Sequence, residues 1–462
     1  MIQHTDRATP SLKTFNRILV FFALVNLAGL SVSAKKPSSD IDKPLRKTLK
    51  KAGVEAVEIV EPTSDAMFLL GQALFFDRVL SGNRDTSCAT CHHPLLGTGD
   101  GLALPVGTGT DTPGSLGLAR VKGQHREFIP RNAPEVFHRG HADWTTQFWD
   151  GRVAQDIYGD FDSPAGEDLP AGILDNVLAV QAMFPVTSRD EMRGAVTDVA
   201  EGNEIAAIPD DDLPAIWEAL MQRLRAIKRY RELFIDAYGF SANELGFDSV
   251  AKAISVFEAT AFSFDDSPFD EYLRGDNAAL SPEQKRGAIL FYGKANCSSC
   301  HSGTLMTDQK NYNLGIPQLG PGKDPASGLD PGRFLESGDS DDLFRFRTPP
   351  LRNVAATGPW MHNGAFANLR NAVLHHVNPR VSASLYNAEE QLDQPELVDT
   401  VDAQAAIELG TLDIARGTLS LRELNDLLAF LKSLTAPELD ARLEALIPAS
   451  VPSKLPVEPA GK

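Results

Sequence analysis

The pattern that most restricts this chain is C-x-x-C-H, which occurs twice. Cys88, Cys91 and His92 form one copy in "SCATCHHP", and Cys297, Cys300 and His301 form the other in "NCSSCHSG". The 462-residue chain has 4 cysteines, so the two copies use every one and leave none for a disulfide. The spacing is that of c-type haem attachment: two thiols bond to the haem vinyl groups while the adjacent histidine reaches the iron. A single copy can also be a redox dithiol. Two copies that exhaust the cysteines point instead to a chain folded around two macrocycles.

Similar lead-ins precede the two copies, "GQALFFD" from Gly71 and "GAILFYG" from Gly287, which predicts a duplicated haem domain. Apolar residues recur at helical spacing, as at Val250, Ile254, Phe257 and Ala261, and strand patterns are sparse. The expected fold is mainly α: two cytochrome c-like haem domains, residues 35–275 and 276–436, with few short strands. Ser281 with Pro282 and Gln284 opens a helix before the second copy, and Ser420 with Glu423 opens another. In the latter, Leu421, Leu424, Leu428 and Leu431 make an apolar stripe expected to pack in a core. The acidic stretches "IPDDDLP" and "GDSDD" read as solvated surface. The proline-rich end, residues 437–462, reads as a disordered tail.

The N-terminus carries Arg7, Lys13 and Arg17, then the apolar run "ILVFFALVNLAGL", then "SVSA" ending at Ala34. The run of about 13 residues is short of the roughly 20 needed to cross a bilayer. Residues 1–34 therefore read as a cleavable secretion signal, with a periplasmic location and no stable membrane span after processing. A formal net charge of −18 excludes nucleic acid as a natural partner and favours attraction to something basic.

Several blocks in order carry a family resemblance: "LGQALFFDRVLSG", "RNAPEVF", "QFWDGRV", "FPVTSRDEMRG" and "FRTPPLRNVAATGPWMHNGAF". From about Leu70 to Leu434 the chain resembles the bacterial diheme cytochrome c peroxidases and the related diheme enzymes that mature methylamine dehydrogenase. The resemblance implies that hydrogen peroxide is cleaved at the first haem while the second delivers electrons from a small donor such as a cytochrome c or a cupredoxin. It implies that Glu191 is the acid/base over the first iron. That role suits a buried carboxyl, since O–O heterolysis needs a group that takes a proton from one oxygen and returns it to the other. It makes Trp149 a relay between the haems, where the residue alone would read as core packing. It also assigns Asn132, Thr357 and Pro359 to a calcium ion, a metal suited to oxygen ligands. A homodimer is compatible with all of this.

The remaining question is what occupies the far face of each iron. In many diheme peroxidases a histidine sixteen residues beyond the first haem histidine does so, and here that position is Thr108. Threonine is not a usual haem ligand, so the first iron is expected to be open, with Glu191 above it. His93 is badly placed to reach that face. His125, His138 and His141 read as polar or surface residues, with His125 the first alternative ligand. At the second haem the family's methionine or tyrosine position falls on His376, with His375 as competitor and Met361 a poorer one. His362 is expected to order the surroundings of that haem. Two other functions fit the same residues: a maturase-like oxidase acting on another protein through Trp149, and a diheme electron carrier without catalysis.

Overall fold

The computed structural model describes residues 41–414 and 417–458. The expected secretion signal lies outside the described residues. No described helix is long and apolar enough to cross a membrane. Helices dominate, as expected. The strands are short: Thr146–Gln147, Val153–Gln155 and Phe161–Asp162 form one antiparallel sheet, and Asn311–Tyr312 pairs with Phe346–Arg347.

The two similar lead-ins fold alike. Helix Asp65–Phe76 packs against Phe247–Ala261, and helix Pro282–Phe291 packs against Leu421–Lys432. Each crossing turns on a glycine. A Cβ at Gly71 would lie 2.0 Å from the Ala253 carbonyl oxygen and 2.7 Å from Phe257 Cβ. A Cβ at Gly287 would lie 1.9 Å from the Asp426 carbonyl oxygen and 2.7 Å from Phe430 Cβ. In both places the partner helix offers a carbonyl and, four residues on, a phenylalanine, so only glycine permits the approach. Each crossing helix then runs into a C-x-x-C-H turn.

The capping boxes form as read: Ser281 Oγ accepts from the Gln284 N–H at 3.3 Å, and Ser420 Oγ from the Glu423 N–H at 3.3 Å. Val250, Ile254, Phe257 and Ala261 are all buried. The stripe on Leu421–Lys432 is rotated from the expected one. Leu424, Leu427, Phe430 and Leu431 face the core, whereas Leu421 is 67% exposed at the first turn. "IPDDDLP" and "GDSDD" are largely at the surface.

The domain limits need correction, because the chain ends exchange halves. Helix Asp42–Ala52 places Leu45 and Leu49 in the core of the second half, with Phe269, Tyr272, Leu280 and Phe430. Lys285 pairs with Asp42 at 2.7 Å, and Arg46 lies 4.4 Å over the Tyr272 ring. The second half thus takes in residues assigned to the first. The expected disordered tail is a correction too. Residues Leu439–Glu444 are helical, and Leu439, Leu443 and Val451 bury in the core of the first half. Prolines stop this segment from being one long helix, but its few apolar side chains suffice to seat it. Contacts knit the described residues into one unit. A third apolar cluster joins the halves, with Leu102, Leu104 and Phe128 packed on Ile316, Leu319 and Phe366.

Arg352 and Asp270, each 1% exposed, pair at 2.8 Å where the second half meets the N-terminal segment. Arg352 also donates to the Thr304 carbonyl, and Asp270 accepts from the Val57 N–H. Arg352→Met would leave a buried carboxylate without its counter-charge. Chemical denaturation should show a loss of about 3–5 kcal/mol.

Candidate active site

Ser87 precedes the single helical turn Cys88–Cys91, and its N–H donates to Thr90 Oγ1 at 2.9 Å, closing the turn's N-terminus. His92 follows the turn. Its Nδ1 lies 3.2 Å from the Thr98 carbonyl oxygen, where Thr98 adopts φ 63°. The second site repeats this arrangement: His301 Nδ1 lies 3.2 Å from the carbonyl oxygen of Met306, with φ 56°. A carbonyl at Nδ1 holds the proton there and leaves the Nε2 lone pair for a metal. Burial lowers both histidines to about 4, so both are neutral at pH 7. No two of the four cysteines are joined in a disulfide.

Cys88, Cys91 and His92 line a cavity of about 500 Å³, and Glu191, Trp149 and Gln181 line it as well. Arg139 Nη1 and Gln147 Nε2 also border it, buried and without partners. Unpaired buried donors beside Arg131, Arg152 and Arg347 suit the carboxylates of a haem. The residues therefore fit the group.

Glu191 sits in the π-helical turn Arg189–Arg193, a widened turn of the kind often found at functional sites. Burial raises its carboxyl, against the opposing pull of Arg152 and Lys323. Thr108 supports this turn from outside the cavity. Its N–H donates to the Glu191 carbonyl oxygen at 2.9 Å and its hydroxyl to Asp85 Oδ1 at 2.7 Å. Trp149 is buried, and its indole N–H donates to the Asn132 carbonyl oxygen at 2.9 Å. Its own carbonyl accepts from the Arg347 N–H at 2.7 Å. Two residues beyond Arg347, the Pro349 backbone lies against the His301 ring. Trp149 therefore touches the first cavity and, through one strand, the second histidine.

The other histidines fall into place by their contacts. His93 is buried and accepts from the Leu95 N–H at 3.2 Å. His125 is exposed, and neither it nor His138 or His141 lines the cavity. His138 is buried rather than at the surface, and burial lowers it to about 3. His141 faces Asp143 at 3.7 Å. His362 stacks on Phe346 at 3.4 Å, and its carbonyl accepts from the Asn132 N–H. Met361 packs in the cluster between the halves.

His375 and His376 share helix Leu369–Val377 but face differently. His375 Nε2 lies 2.9 Å from the Leu314 carbonyl oxygen and the ring packs on Phe366. His376 Nδ1 lies 2.8 Å from the Ala372 carbonyl oxygen, and its ring centroid is 6.3 Å from that of His301. A metal–imidazole bond of about 2 Å, plus roughly 1.2 Å to the ring centre, places trans imidazoles about 6 Å apart. The pair is spaced to hold one iron between them.

Asn132 donates its amide to the Leu102 carbonyl oxygen at 2.8 Å, and Thr357 Oγ1 donates to the Val354 carbonyl oxygen at 3.3 Å. Among the described residues no three His, Cys, Asp or Glu side chains converge on a metal position, so a calcium site here would be built from neutral oxygens.

Among the cavity residues that sequence reasoning missed, Glu258 and Lys323 have markedly shifted protonation. Glu258, on helix Phe247–Ala261, is 5% exposed, and burial raises it to about 8. Its signal was a lone carboxyl in the apolar run "AISVFEATAF". Lys323, lowered to about 8 by burial and then by Arg131 and Arg152, has no comparable signal, since it comes from a loop far along the chain.

Known proteins resemble this chain in sequence and in fold. Residues 65–278 match the family model described as di-haem cytochrome c peroxidase. The chain is 30% identical over 362 residues to the methylamine utilization protein MauG of Methylorubrum extorquens, covering 76% of this chain and 82% of that one. It is 33% identical over 325 residues to cytochrome c551 peroxidase of Pseudomonas aeruginosa, covering 70% and 75%. A crystal structure of a MauG-like protein associated with microbial copper homeostasis superposes with a TM-score of 0.56 at 27% identity, covering 84% of this chain and 95% of that one. A helical fold with two histidine-bearing C-x-x-C turns, matched at this length by relatives of both kinds, places the chain in the di-haem cytochrome c peroxidase family, as an oxidoreductase with two c-type haems.

Proposed function

We propose that the protein reduces hydrogen peroxide to water with electrons from a small donor protein, a cytochrome c or a cupredoxin, in the periplasm. The observation that carries this reading is that Glu191 and His92 border one cavity from different elements while, among the described residues, no second histidine borders it. Cys88, Cys91 and His92 would hold the haem, which when bound would supply electrons and a Lewis-acidic iron for cleaving the O–O bond. Glu191 takes the proton from one peroxide oxygen and delivers it to the leaving oxygen. Burial raises its carboxyl, which favours its protonated form and so its delivery of the proton. Trp149 carries the electron from the second haem, held by Cys297, Cys300, His301 and His376. Asn132, Thr357 and Pro359 hold calcium beside that route.

A second reading has one observation in its favour: relatives named for methylamine utilization match as well as the peroxidases do. In it, Trp149 carries oxidising equivalents outward to a protein substrate. Steady-state peroxide turnover with reduced cytochrome c separates the two, because the second reading predicts negligible donor oxidation.

Glu191→Gln should keep one high-spin and one low-spin signal in the paramagnetic resonance spectrum of the oxidised protein while turnover falls roughly 10²- to 10⁴-fold. Wild-type turnover in that variant would remove Glu191 from the mechanism. His376→Met should raise the potential of the second haem, since methionine ligation favours the reduced state. His375→Gln should leave its low-spin spectrum intact, and the opposite pattern would reassign the ligand. Calcium chelation should slow turnover, with recovery on adding calcium back. Unchanged turnover in metal-free protein, checked by elemental analysis, would discard the calcium assignment.

A further inference from the structure

The first attachment turn is tied to the far end of the chain. Glu458, 1% exposed, reaches the turn from the segment that follows helix Leu439–Glu444. Its Oε1 accepts from Thr90 Oγ1 at 2.5 Å and from Arg78 Nε at 2.9 Å, and its Oε2 accepts from Ser87 Oγ at 3.2 Å. Ser87 and Thr90 flank Cys88 and are themselves 1% exposed. A carboxylate so far from water is held by these three donors. The tail is anchored again at Ser453, whose hydroxyl donates to Asp77 Oδ1 at 2.6 Å.

From the turn the contacts continue toward Glu191. Thr86 Oγ1 donates to Asp85 Oδ1 at 3.1 Å, and Arg120 Nη2 donates to Thr86 Oγ1 at 2.8 Å. Asp85 Oδ1 also accepts from Thr108 Oγ1, and Thr108 holds the Glu191 turn. The second attachment turn has no such support. None of Cys297–Ser299 is buried, and Asn296 and Ser299 bond chiefly to one another.

We propose that Glu458 is a positioning residue of the first haem, fixing the Cys88–Cys91 turn, and with it His92, against the network that carries Glu191. The inference rests on the proposed function only in naming that haem as the site of peroxide chemistry. Glu458 also balances Arg78, which is 4% exposed beside the turn. Without the carboxylate a buried positive charge would stand unbalanced there and favour the reduced haem.

The test uses full-length holoprotein carrying Glu458→Ala or Glu458→Gln, with Lys454→Ala as a control at an exposed position of the same tail. Paramagnetic resonance and spectroelectrochemical titration read each haem separately. In Glu458→Ala the high-spin signal should change shape and the potential of the first haem should shift upward, with the second haem unmoved. Glu458→Gln, which keeps an acceptor but loses the charge, should shift the potential the same way with less change in the signal. Lys454→Ala should match wild type. A first haem with wild-type signal and potential in Glu458→Ala, even at lower melting temperature, would overturn the proposal. If Glu458→Ala does not accumulate, Glu458→Gln decides by the same readings. Neither reading depends on peroxide turnover, so a failure here is distinct from a failure of the peroxidase assignment.

Discussion

Two helix crossings with no side chain between them set the rest of the molecule. At Gly71 and at Gly287 the partner helix brings a carbonyl oxygen to about 2 Å from where a Cβ would be. Any larger residue would push the helices apart and move the C-x-x-C-H turn at the end of each lead-in. The two proximal histidines inherit their aim from these crossings, and each is then held by a carbonyl from a residue of positive φ. The repeated glycine is thus a geometric requirement met twice.

On this shared frame the halves diverge. In the first attachment turn Ala89 and Thr90 are buried, as is Ser87 before it, and the turn is braced by hydroxyls, an arginine and a carboxylate from the chain end. The second turn is partly exposed and lightly braced. A rigid, enclosed first site suits chemistry that depends on placing a proton donor over an iron. An accessible second site suits exchange of electrons with a partner, where proximity to the surface matters more than exact alignment.

Buried arginines bind the frame together. Arg131 bridges Asp150 and Asp330, Arg152 joins Asp150, and Arg139 joins Glu135. Of these pairs only Arg131–Asp330 joins opposite halves of the chain, and Arg131 is the chief partner that, against burial, holds Asp150 and Asp330 below the usual carboxylate range. Burying these arginines is tolerable because each has a carboxylate partner, and two buried donors without partners, Arg139 Nη1 and Gln147 Nε2, belong to residues that line the cavity, where an anionic cofactor would meet them.

The sequence by itself determined the attachment chemistry, because covalent haem ligation depends on residues adjacent in the chain, and it determined the helical class through periodic apolar residues and caps. Glu191 and Trp149 stood out only within longer blocks, since a glutamate in "SRDEMR" or a tryptophan in a turn has no distinctive local signal. What only the tertiary structure decided was long-range. His375 and His376 are adjacent on a helix and about 100° apart, so helix rotation alone determines which faces His301. The exchange of chain ends, the approach of Glu258 to the cavity and the burial of Glu458 beside Ser87 all pair residues separated by more than a hundred positions. Such contacts are set by how packed helices bring distant segments together, and local pattern carries no record of them.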